Sequence, residues 1–342
     1  MQGMSVVSEQ NLSHRIVGKP RVVVTRRLLP ANEARMSELF EVTLNQTDQA
    51  MSREQMAAAM QDCDVLVPTV TDCIDADLIE NAGPRLGLIA NFGAGYEHID
   101  MAAASARKIM VTNTPGVFTE DTADLTMALI ILATRRFGAA ARKLYSSEWN
   151  GWGPSELLGH SLGQKTLAIV GMGRIGQAVA RRARGFGLQI AYHNRHRLDE
   201  SVEAQTNARY EPDLDRLIAQ ADILSLNCPA GPDTDSLLDA RRIATMKATA
   251  YVVNAARGTL IDEDALIAAL ASGRLGGAGL DVYRDEPRVN PKLLDLPNVI
   301  ALPHLGSATF EGREEAGNKI IANIKTWADG HRPPDQLLVI HD

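Results

Sequence analysis

The chain has 342 residues, 45% of them hydrophobic and 23% charged, which is typical of a globular protein large enough for two domains. Its net charge of −7 argues against nucleic acid and anionic membranes as partners, because both require basic patches. Cys63, Cys73 and Cys228 are odd in number and lack metal-ligand spacing, so we expect no disulfide framework, no metal site, and a reducing, cytoplasmic compartment. Residues 1–19 contain no signal-peptide core and predict a loose tail.

Strand-like and helix-like segments alternate along the first third of the chain. Short apolar runs predict strands at residues 22–25, 42–44, 65–67, 88–92 and 110–112, and the segments between them predict helices at 31–40, 53–60, 76–82 and 101–108. Alternation of this kind predicts a parallel sheet with helices on both faces. We expect this array to form a domain of its own.

Two loops of this predicted domain follow strands at the edge where such sheets bind ligands. They are residues 68–71, Pro-Thr-Val-Thr, and residues 91–96, Asn-Phe-Gly-Ala-Gly-Tyr. Gly93 and Gly95 either present backbone N–H groups to a carboxylate or only shape a strand-to-helix turn. The residues alone leave both interpretations open.

The most informative motif lies in residues 163–197. An apolar run at 166–170 leads directly into Gly-Met-Gly-Arg-Ile-Gly, followed by helical spacing and by a second strand at 189–192. In a dinucleotide-binding turn, Gly171 allows the tight turn, Gly173 lets the backbone approach a pyrophosphate, and Gly176 lets helix and strand pack closely. A glycine-rich loop that binds nothing is the alternative, and the strand–turn–helix–strand context favours the cofactor.

The acidic residue that an NAD site places after the second strand is missing. The region reads His-Asn-Arg-His-Arg at residues 193–197, and no carboxylate occurs before Asp199. Arginine offers paired donors that match phosphate oxygens, which favours the 2′-phosphate of NADP. We therefore expect NADP(H) to be preferred and NAD(H) to be possible, with Arg195 a better candidate than Arg197. A solvated basic loop is the alternative.

The α/β alternation resumes after this motif. The patterns predict helices at 214–219 and 263–271 and strands at 223–227, 251–254, 279–282 and 299–301, preceded by a long helix to residue 136 that begins at Thr119 or Glu120. A final amphipathic helix at 309–327 is expected to pack on the first domain. Residues 145–163 predict an irregular excursion whose Trp149 and Trp152 serve a subunit interface or pack on the parent domain.

Three polar residues lie at or just beyond predicted strand ends: Arg257, Glu286 and His304. Each alone has an ordinary structural explanation. Beside a nicotinamide site, they are the set that reduction of a 2-oxo acid requires. A histidine donates the proton, a carboxylate orients and charges the imidazole, and an arginine fork holds the substrate carboxylate.

With these residues and seven ordered segments, the chain resembles the D-isomer-specific 2-hydroxyacid dehydrogenase family. The segments are residues 91–100, 113–124, 171–176, 226–234, 254–266, 279–287 and 302–309. Within the family, segments 68–71, 151–154 and 193–197 resemble glyoxylate/hydroxypyruvate reductases. Formate dehydrogenases of this family pair their histidine with glutamine, so Glu286 argues against that activity.

The resemblance implies two doubly wound parallel-sheet α/β domains with a catalytic cleft between them. Residues 1–118 and 308–342 would form a flavodoxin-like substrate domain, and 119–307 a dinucleotide-binding Rossmann domain. It also implies a homodimer built through the cofactor domains, with a small 2-oxo or 2-hydroxy acid as the only other partner. The activity implied is NAD(P)H-dependent reduction of glyoxylate or hydroxypyruvate. Alternatives are a branched 2-oxo acid or phosphite on the same scaffold, or a cofactor-sensing, corepressor-like binding protein.

The resemblance further implies a role for each site residue. His304 is the acid/base, Glu286 its partner, and Arg257 the substrate-binding arginine. The cofactor residues would be Gly171, Gly173, Arg174, Ile175, Gly176, Asn194, Arg195, Arg197, Cys228, Pro229, Thr234, Ala255, Asp281, which holds the nicotinamide carboxamide, and Thr119. The substrate residues would be Val70, Ala94, Gly95, Arg257 and His304. No base lies near Cys228 in sequence, so we expect its backbone, not its thiol, to serve the site.

Overall fold

The computed structural model describes residues 16–338. The contacts divide the chain into two compact units, Met1–Val117 with Thr309–Asp342 (unit 1) and Phe118–Ala308 (unit 2). Assigning substrate binding to the first and cofactor binding to the second remains a prediction.

Unit 1 contains a five-stranded parallel sheet. Its strands are β1 Arg21–Val24, β2 Glu41–Thr43, β3 Val65–Val67, β4 Leu88–Ala90 and β5 Met110–Thr112, and the helices between them are α1 Pro30–Leu39, α2 Arg53–Asp62, α3 Ala76–Glu80 and α4 Met101–Ala106. The strand order is β2-β1-β3-β4-β5, the flavodoxin-like arrangement. Every residue of β3 and β4 is buried, as their apolar runs predict for strands covered on both faces.

Unit 2 contains a seven-stranded parallel sheet. Its strands are β6 Thr166–Val170, β7 Gln189–His193, β8 Ala208–Tyr210, β9 Ile223–Leu226, β10 Tyr251–Asn254, β11 Gly277–Leu280 and β12 Val299–Ala301. Its helices are α5 Thr119–Thr134, α6 Phe137–Tyr145, α7 Arg174–Gly185, α8 Glu200–Thr206, α9 Leu214–Gln220, α10 Ala240–Thr245, α11 Glu263–Ala271 and α12 Pro291–Leu294, with 3₁₀ turns at Pro232–Thr234 and Gly258–Leu260. The order β12-β11-β10-β9-β6-β7-β8 reverses direction at β6, as in a Rossmann sheet. The predicted fold class is confirmed.

The last helix, α13 Phe310–Ala328, belongs to unit 1. The Thr309 side chain caps it by accepting a hydrogen bond from the Gly312 N–H at 3.0 Å. Ile320, Ile324 and Trp327 pack with the buried residues of β1, β3 and β4. The prediction that this helix packs on the first domain is confirmed.

Two differences from the sequence predictions lie in unit 1. Strand β4 ends at Ala90 instead of residue 92, because Asn91 turns its side chain onto the following loop. The Ile16 N–H donates to the Ala328 carbonyl at 3.2 Å, and the Ile16 side chain packs against the core that includes α13, so Ile16 itself is held in place, unlike the loose tail predicted for residues 1–19. Residues 1–15 of that predicted tail lie outside the described part of the chain.

Candidate active site

The turn between β6 and α7 has the geometry of a dinucleotide site. Gly171 has a φ of +95°, and a methyl group on it would lie 2.4 Å from the Cys228 nitrogen. A methyl group on Gly176 would lie 2.3 Å from the Gly171 carbonyl oxygen. Protein packing therefore requires these two glycines, whereas Gly173 has no other atom within 4 Å of a methyl position. Open space at Gly173, before the helix N-terminus, fits a closely approaching pyrophosphate.

Three further residues predicted to contact the cofactor lie at this turn. Arg174 and Ile175 are the first two residues of α7, so their backbone N–H groups have no partner within the helix. The Asn194 side chain accepts a hydrogen bond from the Met172 N–H at 2.7 Å, which ties the end of β7 to the glycine turn. The turn thus combines free N–H groups with the positive end of a helix dipole, which suits a phosphate.

The two arginines of the basic segment have different surroundings. Arg195 is exposed and makes no hydrogen bond or ion pair with any residue from 16 to 338. Arg197 instead forms a two-point ion pair with Glu203, at 2.9 and 2.7 Å. Glu203 also accepts a 2.7 Å bond from the Tyr192 hydroxyl, and these partners, Arg197 first, lower the pKa of Glu203 to about 2. Arg195 is therefore the arginine available to a ligand.

The remaining predicted cofactor residues lie on neighbouring segments of unit 2. Cys228 and Pro229 follow β9, and the Thr234 hydroxyl donates to the Pro229 carbonyl at 3.0 Å. Ala255 follows β10, and Thr119 is the first residue of α5. Burial raises the pKa of the Cys228 thiol to about 11, so it stays protonated near neutral pH.

His304 and Glu286 form a hydrogen-bonded pair. The His304 Nδ1 lies 2.7 Å from a Glu286 carboxylate oxygen, and the other oxygen accepts a 2.9 Å bond from the Tyr283 N–H. Burial by itself would raise the pKa of Glu286, but the bonds from His304 and Tyr283, with the charges of His304 and Arg257, lower it below its usual value. Glu286 is therefore an ionised partner that fixes the ring of His304 and leaves Nε2 for chemistry.

Asp281 lies beneath the turn that carries His304. The carboxylate is fully buried and accepts bonds from the Leu305 N–H at 2.7 Å and the Gly306 N–H at 2.8 Å. Burial raises the pKa of Asp281, and these two bonds oppose the rise. The Asp281 carbonyl also accepts the His304 N–H at 2.9 Å, where His304 has a left-handed φ of +56°. Asp281 thus shapes the turn, and its contact with the nicotinamide carboxamide stays a prediction.

Arg257 lies on a segment packed against the one that carries Glu286. A methyl group on Gly258 would lie 2.0 Å from the carbonyl carbon of Tyr283, so only glycine permits this approach. The Asn254 amide donates to the Arg257 carbonyl at 2.8 Å and fixes the turn after β10. The Arg257 charge is the smallest of the influences that lower the pKa of Glu286, after those of His304 and Tyr283.

In unit 1 the predicted substrate residues lie on two turns at the carboxyl edge of the sheet. Val70 lies in the turn after β3, and its side chain is 41% exposed. Ala94 and Gly95 follow β4, and their N–H groups make no hydrogen bond with the described residues. The two turns adjoin, because the Phe92 N–H donates to the Pro68 carbonyl at 2.8 Å. Free N–H groups beside an apolar side chain suit a small carboxylate ligand.

Several residues that order these sites are absent from the sequence-based prediction. Glu203 engages Arg197, and the backbone N–H of Tyr283 holds Glu286. Asn91 and Asn113 hold the carbonyl groups of the turn at Ala94. Asn113 follows the strand predicted at 110–112, and Asn91 lies near the end of the strand predicted at 88–92, and this position at the ligand-binding edge is the signal that points to them.

The rest of the described chain offers neither a metal centre nor a membrane span. Within residues 16–338 no three His, Cys, Asp or Glu side chains are grouped as metal ligands. None of the helices in that range has the length and apolarity needed to cross a bilayer.

Known proteins share both the sequence and the fold of this chain. Residues 127–306 match the model described as D-isomer specific 2-hydroxyacid dehydrogenase, NAD binding domain. A glyoxylate reductase of Thermococcus litoralis is 42% identical over 322 residues, covering 93% of this chain and 96% of the relative. The chain belongs to the D-isomer-specific 2-hydroxyacid dehydrogenase family. It is therefore an oxidoreductase that uses a nicotinamide cofactor and interconverts 2-oxo and 2-hydroxy acids.

Two further relatives resemble this chain over most of its length. A glycerate dehydrogenase of Hyphomicrobium methylovorum is 36% identical over 303 residues, covering 89% of this chain and 94% of the relative. The crystal structure of an NADPH-dependent glyoxylate/hydroxypyruvate reductase from Sinorhizobium meliloti, in complex with NADP and malonate, superimposes with a TM-score of 0.82 at 32% identity. That match covers 94% of this chain and 97% of the other. The predicted family, and its branch closest to glyoxylate reductases, are confirmed.

Proposed function

We propose that this enzyme reduces glyoxylate and hydroxypyruvate to the corresponding 2-hydroxy acids with NADPH. The observation that carries the proposal is the 2.7 Å bond between His304 and the ionised Glu286, in a chain similar to glyoxylate reductases. Reduction of a 2-oxo group needs a proton donor such as a protonated imidazole, because negative charge develops on the carbonyl oxygen.

In the proposed mechanism His304 donates the proton. Its Nδ1 stays bonded to Glu286, and Nε2 delivers a proton to the carbonyl oxygen. Glu286 stabilises the imidazolium before transfer and keeps the ring orientation afterwards. When bound, NADPH supplies the hydride that adds to the carbonyl carbon. Reduction should therefore be fast where His304 is protonated and slow where it is neutral.

The substrate carboxylate is proposed to bind to fixed donors. Arg257 offers a planar guanidinium, and Ala94 and Gly95 offer backbone N–H groups. Val70 would contact the short side of the substrate with its exposed apolar side chain. Unit 1 would then be the substrate-binding domain and unit 2 the cofactor-binding domain. Since the net charge of −7 repels an anion, these local donors must supply the attraction.

The cofactor preference rests on the segment after β7. We infer that Arg195 binds the 2′-phosphate of NADP, because its guanidinium has no partner among residues 16–338. We infer that Arg197 orders this segment through Glu203 and has a smaller part in phosphate binding. NADH would still bind through the glycine turn, but more weakly.

The exposed apolar surface of α6 supports a homodimer. None of the nine residues of α6 is buried, although two of them have large apolar side chains: Leu144 is 58% exposed and Tyr145 is 86% exposed. Trp149 and Trp152, in the irregular segment that follows, are 54% and 85% exposed. Large apolar side chains exposed close together in the sequence are typical of a protein interface, and we propose a second copy of the chain as the partner. The three free cysteines fit the cytoplasm that we propose as its location.

A substrate panel tests the proposed function. The reduced cofactor is monitored by absorbance with glyoxylate, hydroxypyruvate, pyruvate, a branched 2-oxo acid and, in the oxidative direction, phosphite. We expect kcat/KM to be highest for glyoxylate and hydroxypyruvate with NADPH. A branched 2-oxo acid or phosphite as the best substrate would replace the proposed one. Cofactor binding without turnover of any compound would point to a cofactor-sensing protein.

A further inference from the structure

The turn at Ala94 and Gly95 directs all three of its consecutive carbonyl groups into the protein. The Gly93 carbonyl accepts the Thr114 N–H at 3.0 Å, and the Ala94 carbonyl accepts the Asn113 amide at 2.7 Å. The Gly95 carbonyl accepts the Asn91 amide at 2.8 Å. With the acceptors turned inward, the N–H groups of Ala94 and Gly95 are left without a hydrogen bond to the described residues.

The Asn91 side chain makes hydrogen bonds to two carbonyl groups of this turn. It is fully buried, and its amide nitrogen donates to both Gly93 and Gly95, at 3.2 and 2.8 Å. Its amide oxygen lies 2.9 Å from the His98 Nε2. Both N–H bonds and the oxygen of the amide are thus engaged, so the side chain has one orientation.

We propose that Asn91, assisted by Asn113, is a positioning residue for carboxylate recognition. The two amides hold the carbonyl oxygens of the turn away from the ligand, and the N–H groups of Ala94 and Gly95 therefore face it. This rests on the proposed function, because it assumes that the turn binds the carboxylate of a 2-oxo acid. Hydrogen-bond donors that are fixed before binding contribute more to affinity than donors that the ligand must order.

The chemistry of the side chain explains why an amide is needed at position 91. Aspartate has nearly the same shape, but when ionised it has no N–H to donate. It would also set a negative charge against the Gly93 and Gly95 carbonyls and close to an anionic ligand. Asn91→Asp should therefore impair carboxylate binding more than Asn91→Ala, although alanine changes the shape more.

Steady-state kinetics of the full-length enzyme test the proposal. We expect the KM for the 2-oxo acid to rise about tenfold in Asn91→Ala and about a hundredfold in Asn91→Asp, with a smaller rise in Asn113→Ala. The KM for NADPH and the kcat at saturating substrate should change less than about twofold. The inhibition constant of oxamate, a carboxylate that competes with the substrate, should rise by the same factors.

Asn32 provides the matched control. It is 1% exposed and donates to the Glu314 carbonyl at 3.2 Å, so Asn32→Ala also removes a buried amide of unit 1. That variant should lower the melting temperature and leave both the substrate KM and the oxamate constant unchanged. Equal substrate KM values in Asn91→Ala, Asn91→Asp and Asn32→Ala would overturn the positioning role. So would a milder effect of aspartate than of alanine at position 91.

The wild-type enzyme separates this proposal from the proposed function. If glyoxylate and hydroxypyruvate are poor substrates, the substrate assignment fails, and the variants are measured with the best 2-oxo acid of the panel. If the wild type reduces glyoxylate and Asn91→Asp keeps its KM, only the positioning role fails.

Discussion

Glu286 is the negatively charged residue that orients His304 in the candidate active site. Its two carboxylate oxygens are divided between the His304 ring and the Tyr283 N–H, so it cannot rotate without losing one bond. Its pKa is lowered in the folded protein, so its contribution to stability is complete above the ordinary value of 4.5. That contribution is lost as the pH falls through the lowered value, because the protonated carboxyl no longer attracts a charged imidazole.

Replacing Glu286 should change the pH dependence of reduction. Glu286→Gln removes the negative charge beside the His304 ring, so we expect kcat/KM for reduction to fall and its pH profile to change. The measurement is the pH profile of glyoxylate reduction for both proteins. Asp285→Asn removes the neighbouring exposed carboxylate and should keep the wild-type profile. An unchanged profile in Glu286→Gln would argue against the pairing.

In the segment between β7 and α8, two arginines close together in the sequence have different surroundings, and we propose different roles for them. Arg195 and Arg197 are two positions apart, and the sequence gives no reason for them to differ beyond their distance from the strand. The partner of Arg197 is Glu203, which lies one turn into a helix that the sequence patterns do not predict. The division of roles therefore depends on the position of α8.

Alanine substitutions should separate the two arginines. Arg195→Ala should raise the KM for NADPH about ten- to a hundredfold and the KM for NADH less than about twofold, because only the 2′-phosphate loses its charged donor. Arg197→Ala should weaken both cofactors by similar, smaller factors, because it loosens the whole segment. The measurement is the KM of each cofactor at saturating glyoxylate. Equal losses of NADPH and NADH in Arg195→Ala would leave a solvated basic loop as the better interpretation.

The elements that sequence patterns predict are those with a buried face. The patterns predict the glycine turn, α13 and the strands of both sheets except β8, and the structure confirms them. The patterns do not predict α6, α8, β8, α10 or α12. Helix α6 buries no residue, and α8, α10 and α12 bury only one residue each, so none of them has a repeating apolar pattern. Residues 145–163, predicted as irregular, contain no helix or strand after α6 ends.

The candidate catalytic residues can be proposed from the sequence, but the bonds that orient them cannot. Arg257, Glu286 and His304 are recognisable because each follows a strand in a doubly wound sheet. Their orientation depends on bonds between residues that sequence spacing cannot pair, such as the 2.7 Å bond between the His304 ring and Glu286, eighteen positions away. The left-handed backbone of His304 and the burial of Asp281 beneath it are also invisible in the sequence.

At the scale of the whole molecule, the feature that bears on assembly is the set of large apolar side chains exposed on α6 and in the segment after it. Leu144 and Tyr145 on α6 have no packing partner that buries them. A second copy of the chain would remove this surface from water, and the gain is roughly 25 cal/mol for each Å² buried. The proposed dimer therefore rests on the exposure of the apolar side chains of α6.

A charge on this surface should disrupt the dimer. Leu144→Glu places a carboxylate in the proposed interface, where it would be desolvated without a partner, so sedimentation velocity should show a monomer. Phe186→Glu changes another exposed apolar residue of unit 2, one that is 47% exposed, and should leave the dimer intact. A wild-type protein that sediments as a monomer at micromolar concentration would contradict the proposed assembly.

The central claim is that His304 donates the proton in NADPH-dependent reduction of a small 2-oxo acid. The most direct test compares wild type and His304→Gln for oxidation of NADPH at saturating glyoxylate, with NADPH binding measured separately by fluorescence. We expect kcat to fall about 10²- to 10⁴-fold in the variant, the usual loss of a general acid, while the affinity for NADPH stays within about twofold. A variant that keeps most of its kcat would contradict this claim. A wild-type enzyme that fails to oxidise NADPH with every 2-oxo acid tested would contradict it as well.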